Sequence, residues 1–218
     1  MRTKMLTPVL ALVMVLALVV MAGCGTEKPK VTADKTAIAL TEIILSGSAT
    51  NEADAGLNKG DADAAYQEIA SSLDAAFAKF EISDESAQEL TDYYLDTVGN
   101  NLNITATVKE DSDTPTVEIK FTPHDVKTFE TELTNDPEIG EMVAALAILK
   151  QSNVDPKTVP EYNQGAVRVL KRVIDAMPLK SEQTVTAKFK IGKNDKGELA
   201  WTPDDMNKFK TEITNSQM

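Results

Sequence analysis

A stretch that occurs twice constrains this chain more than any other feature. Phe121-TPHDVKTFETELTN returns eighty residues later as Trp201-TPDDMNKFKTEITN. Eight positions are identical: Thr122/Thr202, Pro123/Pro203, Asp125/Asp205, Phe129/Phe209, Thr131/Thr211, Glu132/Glu212, Thr134/Thr214 and Asn135/Asn215. An internal repeat of this kind means that one supersecondary unit is used twice. Each copy reads as a strand running into a capped helix. Thr122 and Thr202 stand where they cap the first free N–H groups, Pro123 and Pro203 suit the first helical position, and Asp125 and Asp205 serve as capping-box acids. The spacing therefore predicts helices that start at the threonines. Val126, Phe129 and Leu133, like Met206, Phe209 and Ile213, recur at three- and four-residue steps, so each helix has one apolar stripe to bury. The shared residues are caps and core, which speaks for architecture rather than for a repeated ligand site.

The rest of the chain extends the unit. A short apolar helix starts near Asp34, carries Ile38, Leu40, Ile43, Ile44 and Leu45 and stops at Gly47; residues 48–60 read as a loop. Helical periodicity follows over 61–80 and again from a Ser83 cap, with Ala87, Leu90, Tyr94 and Val98 on one face and Gly99-Asn100 as terminator. The period then changes to two. Leu102, Ile104, Ala106 and Val108 alternate with polar residues, EDSDTP supplies a turn, and Val117, Ile119 and Phe121 alternate again, a half-buried hairpin. Asp136-Pro137 opens a helix with Ile139, Met142, Val143, Leu146 and Leu149 on one face. Thr158-Val-Pro-Glu161 opens the next, with Ala166, Val169, Leu170, Val173 and Met177. A second hairpin uses Val185, Ala187, Phe189 and Ile191, a GKNDKG turn, and Leu199 and Trp201. The unit is helix, helix, hairpin, capped helix.

An isolated hairpin is marginal, so the two are expected to share one antiparallel sheet with helices on its inner face, an α+β fold. No Pro/Gly-rich linker separates the halves near residue 136. Residues 34–218 are therefore expected to form a single domain, with the repeat spanning about 61–135 and 136–216.

The N-terminus sets location. Arg2 and Lys4 precede thirteen apolar residues, Val9 to Met21, followed by Ala22, Gly23 and Cys24. That run fits a signal-peptide core and falls short of the roughly 20 residues a spanning helix needs. Cys24 is the sole cysteine, so no intramolecular disulfide forms and the fold must rest on its core. Residues 1–23 are read as signal, and Cys24 to residue 33 as anchor and flexible tether. Without Arg2 and Lys4 the mature chain holds 20 Lys and Arg against 34 Asp and Glu, −14. That balance disfavours nucleic-acid partners and makes membrane attachment depend on a lipid rather than on a basic patch.

Met21-Ala22-Gly23-Cys24 resembles the lipobox of bacterial lipoproteins, although the family pattern has Leu where Met21 stands. With the helix ending at Ser46-Gly47-Ser48, the SDESAQEL helix, the ITATVK hairpin and the late hairpin closing on GELAW, the chain resembles a family of small bacterial lipoproteins, mainly Gram-positive, that carry a domain of unknown function. The tryptophan near the end of the late strand also resembles cone-shaped α+β folds of the cystatin and nuclear-transport-factor type. The resemblance implies lipidation of Cys24 and a lasting anchor at the extracytoplasmic face of the membrane, since two acyl signals suffice for stable attachment. Gly25 is not the Asp that, by the same resemblance, retains a lipoprotein at the inner membrane, so an outer-membrane position stays open in a diderm cell. The family transfers no catalytic residues.

Candidate chemistry is sparse. His124, the only histidine, sits in what reads as an exposed first turn, and its repeat counterpart is Asp204. No GxSxG, HExxH, P-loop or GxGxxG arrangement occurs. Asp61-Ala-Asp63 begins like an EF-hand loop but continues with Ala65 and lacks the glycine and terminal glutamate; Asp111, Asp113, Asn194 and Asp195 read as turn residues. No enzyme activity, cofactor or metal site is expected. Two functions fit: a non-enzymatic lipid-anchored domain that binds an envelope protein or component through its helical or open sheet face, or a small-molecule (solute) binding lipoprotein. The latter would use a cleft between sheet and helices lined by Tyr94, Phe121, Tyr162 and Trp201.

Overall fold

A computed structural model describes residues 27–51, 56, 59–110, 112–194 and 196–217. Cys24, the signal segment, Asp111 and Asp195 lie outside them. The elements run α1 (Ala33–Ser46), α2 (Lys59–Phe77), α3 (Asp84–Asn101), β1 (Thr105–Glu110), β2 (Thr116–Phe121), α4 (Val126–Asn135), α5 (Pro137–Gln151), α6 (Pro160–Asp175), β3 (Gln183–Lys193), β4 (Leu199–Pro203) and α7 (Met206–Asn215), with short 3-10 turns at Ala78–Phe80 and Pro156–Thr158. The fold is α+β.

The four strands form one antiparallel sheet in the order β1-β2-β3-β4. The hairpins join where β2 pairs with β3, Thr116 against Lys188 through to Phe121 against Gln183. Period-two patterning then separates the faces. Val117, Ile119, Phe121, Val185, Phe189 and Trp201 point inward onto α1 and α7, in a core completed by Leu40, Ile43, Val98, Leu102 and Ile213. The Phe189 and Phe209 rings meet edge-on with centroids 6.0 Å apart, a favoured aromatic geometry. A second core lies among the helices, where Leu90 of α3, Ile139, Met142 and Leu146 of α5, and Ala166, Val169, Leu170, Val173 and Ile174 of α6 pack together. Helix α3 serves both, with Leu90 in one and Val98 in the other.

Three local expectations are corrected. The repeated TPxD segments do not begin helices. Asp125 and Asp205, not the threonines, are the N-caps, their Oδ1 atoms accepting from Thr128 N at 3.0 Å and Lys208 N at 2.9 Å. The preceding residues stay extended because long-range pairing holds them. Lys180 N donates to Pro123 O at 2.9 Å, Asp125 N to Pro178 O at 2.8 Å and Asp204 N to Lys188 O at 2.8 Å. A proline tolerates a strand end because it has no N–H to satisfy. Helix α3 runs through Gly99 to Asn101, and Asn103 takes the left-handed conformation (φ 45°) instead. A Cβ on Gly99 would lie 3.5 Å from Ser46, so that glycine marks the contact between α3 and α1.

His124, expected in an exposed turn, is 2% exposed. Its extended backbone bridges to Leu179. Neither ring nitrogen makes a hydrogen bond of normal geometry. Burial holds the imidazole below its usual range, and the Met177 and Thr97 backbone carbonyls nearby offset only part of that. The folded form therefore keeps His124 neutral while the unfolded chain takes up a proton below about pH 6.5. Stability is lost as pH falls from that value toward the folded pKa. Urea midpoints measured from pH 7.5 to 5 should fall with pH in the native protein and fall less in His124→Phe.

Candidate functional site

Among the described residues, the four aromatic side chains predicted to line one cleft are divided between two cores. Phe121, 0% exposed, and Trp201, 4% exposed, are sealed in the core between sheet and helices. Tyr162 belongs to the helical core, and half-buried Tyr94 packs against both cores, where burial pushes its phenol up to about 12. Tyr162 does line an open groove elsewhere, between α5 and α6.

That groove follows from the sequence of α5. PEIGEMVAALAILKQ is apolar around most of its circumference, so no single stripe marks the buried side. Ile139, Met142 and Leu146 face the helical core, while Val143, predicted on the buried stripe, is 50% exposed and Ile148 is 63% exposed. Helix α6 is strongly amphipathic, with Tyr162, Ala166, Val169, Leu170 and Val173 inward. A groove of about 460 Å³ lies between the two helices. Met142, Ala145, Tyr162, Gly165, Ala166 and Val169 form its apolar part, and Glu138, Glu141, Glu161 and Arg168 its rim. A Cβ on Gly165 would meet nothing within 4 Å. Glycine there lowers helix propensity by about 1 kcal/mol relative to alanine with no internal packing reason.

Polar contacts fix the groove at both ends. Asp136 caps α5 by accepting from Glu138 N at 2.9 Å and Ile139 N at 3.2 Å. The same carboxylate takes two 2.8 Å hydrogen bonds from Nη2 of Arg172 on α6, and that guanidinium holds Asp136 below the usual carboxylate range. Lys150 pairs with Glu81 at the other end of α5. Tyr162 Oη donates to Phe80 O at 2.5 Å. Burial, with the Glu81 charge nearby, raises its pKa.

Asn163, which the sequence gave no reason to single out, ties the start of α6 to α3. Its Oδ1 accepts from Ser83 N at 2.6 Å, and Nδ2 donates to Val159 O at 2.8 Å and to Pro156 and Lys157 carbonyls. Helix α6 has no side-chain N-cap of its own, since Val159 occupies that position and Thr158 lies in the preceding 3-10 turn. The predicted Thr158 capping box does not form, and Asn163 instead braces the turn before α6 through its carbonyls.

The exposed Glu141 and Glu161 stand at the groove beside apolar side chains. Among the described residues no group of three or more His, Cys, Asp or Glu converges as metal ligands would. Asn194 organises the β3–β4 turn by accepting from Lys196 N at 3.1 Å and Glu198 N at 2.9 Å. No helix among the described residues is long and apolar enough to cross a membrane.

No protein-family model matches the chain, and no curated protein matches its sequence. A crystal structure of YcdA from Bacillus subtilis subsp. subtilis str. 168, itself a lipoprotein by inference, is similar at a TM-score of 0.48 and 16% identity over 85% of this chain. The chain spans 56% of the length of that structure. An overlap this loose assigns no activity.

Replacing Asn163 with leucine should leave Ser83 N–H without its acceptor at a partly buried junction and remove the second donor from the Pro156 and Val159 carbonyls, which keep their backbone donors. A loss of about 1–3 kcal/mol in unfolding free energy by urea titration is expected.

Proposed function

We propose that the chain is a lipid-anchored envelope lipoprotein, held at the extracytoplasmic face through Cys24, whose folded part is a non-enzymatic docking domain for a partner protein. The placement rests on Met21-Ala22-Gly23-Cys24 after an export signal, with the tether to residue 33 giving the domain reach from the membrane. These features also support grouping it with the small Gram-positive-type lipoproteins.

The observation that carries the docking reading is the outer side of α5. Val143 and Ile148 lie in water on a helix that is apolar nearly all round, about 140° apart around its axis, and the same helix walls a groove with an apolar floor. Exposed apolar side chains on a helix that also walls an apolar groove with a charged rim suit contact with another protein. A solute-binding reading has less support, because the space between sheet and helices is occupied by Phe121, Trp201 and their neighbours.

Two measurements test the two halves of the proposal. Labelled palmitate should be incorporated by the native chain and not by Cys24→Ser. Native mass spectrometry of the protein released from its own envelope in mild detergent should show a co-purifying polypeptide. The double variant Val143→Glu/Ile148→Glu, which changes only exposed side chains, should lose it. A complex that survives this change removes α5 as the docking surface, and a small bound mass in place of a polypeptide favours a solute instead.

A further inference from the structure

The charges around the groove between α5 and α6 are only partly used by the two helices themselves. These run antiparallel, since Arg172 near the end of α6 meets Asp136 at the start of α5 and Arg168 Nη1 lies 3.6 Å from Glu138 Oε2. Arg172 also reaches Glu138, Nε to Oε1 at 3.6 Å. Both arginines are thus engaged at one end of the groove. Extending that antiparallel register by the helical rise brings Glu141 level with Gly165, and Glu161 level with Ala145. The two carboxylates stand on opposite walls, about 6 Å apart along the groove. Neither has an ion pair among the described residues. The nearby lysines are taken, Lys157 by Asp84 at 2.7 Å and Lys150 by Glu81.

Between these acids the surface is small or adaptable. Half-buried Gly165 leaves empty the space its Cβ would take. Ala145 lies across from it at the next turn, and Met142 has the unbranched, flexible side chain that fits an irregular surface. Ile148 prolongs the α5 wall. It lies seven residues from Glu141, so it stands two turns further along and only about 20° away around the helix axis. It is exposed. Val143, also exposed, stands about 160° from Glu141, on the other side of the helix.

We propose that the groove receives a basic amphipathic helix of a partner protein. Its apolar stripe seats on Met142, Ala145, Gly165 and Ile148, and Lys or Arg on the two flanks of that stripe reach Glu141 and Glu161. The inference rests on the docking reading of α5 and names the chemistry of the docked segment. A helix presents residues at i, i+4 and i+7 along one face, the shape that a groove walled by two helices accepts. Gly165 lets the backbone of the occupant come close. Charge selects the sign. Asp136, Glu138, Glu141 and Glu161 stand in the groove or at its end against Arg168 and Arg172 alone, so a cationic segment is attracted. A second copy of this chain fits less well. It carries 34 acidic against 22 basic residues, and its own exposed helix α5 would bring the unpaired Glu141 against the same rim.

The test uses the full chain in non-ionic detergent micelles, with empty micelles as the blank. The probe is a fluorescent alanine-based helical peptide with leucines at i, i+4 and i+7 and lysines on both flanks of them. Comparison peptides carry glutamate for lysine, or alanine for leucine. By fluorescence anisotropy the Leu/Lys peptide should bind more tightly than either, and its affinity should fall between about 50 and about 200 mM salt as the rim is screened. Glu141→Gln/Glu161→Gln should weaken it about fivefold, the worth of two exposed ion pairs. Gly165→Leu should abolish binding while its urea midpoint holds or rises, because leucine favours a helix and its Cβ meets nothing within 4 Å. Ile148→Glu should weaken binding and Val143→Glu should not. The proposal is overturned if the Leu/Lys peptide does not bind, if the glutamate peptide binds equally, or if Gly165→Leu binds as the native chain does. Equal damage from Val143→Glu and Ile148→Glu overturns it too. An envelope polypeptide lost in Val143→Glu/Ile148→Glu but kept in Gly165→Leu leaves docking at α5 standing and overturns the groove as its seat. Absence of any co-purifying polypeptide, with the peptide still bound in the pattern above, overturns envelope docking and supports the groove's preference for a basic helix.

Discussion

The pairing of β2 with β3 is the contact on which the rest of the structure depends. It runs over six residue pairs, from Thr116–Lys188 to Phe121–Gln183, and joins hairpins that lie far apart in sequence. Neither hairpin could bury its apolar face alone. Once joined, they give one surface for α1 and α7 to cover, and they place Ile119, Phe121, Val185 and Phe189 beneath the same helices. A shift of this register by one residue would turn the buried set to water and the charged set inward. The register therefore specifies both the core and the charged outer face.

Much of this was legible. Alternation of buried and exposed positions in 116–121 and 183–193 is a direct consequence of one wet face, and it shows in the sequence as period two. The Ser83 cap and the stop at Gly47 were also readable, because both act through neighbours within a few residues. What could not be read depends on partners far along the chain. TPxD looks locally like a helix start and becomes a strand end only because Pro178, Lys180 and Lys188 pair with it. Asn163 matters because of Ser83, eighty residues away. His124 is buried for the same long-range reason, and its position within the repeat gave the opposite impression.

The candidate site was harder still. Tyr162 and Trp201 are both aromatic residues near element boundaries, yet they fall in different cores. Helix α5 defeated the stripe argument since a helix apolar all round carries no period to say which side is covered; Val143 went to the solvent side.

Helix α1 has a mechanical consequence. It is the first element after residue 32, and it packs on β1, β2, α2, α3 and α7 at once. Ala37, Leu40 and Ile43 sit at the centre of the sheet-side core. Helix α1 thus links the sheet to three other helices. Loosening α1 would therefore uncover the inner side of the sheet and the sheet-side end of α3 together, so among the described residues this helix cannot come away without the core beneath it.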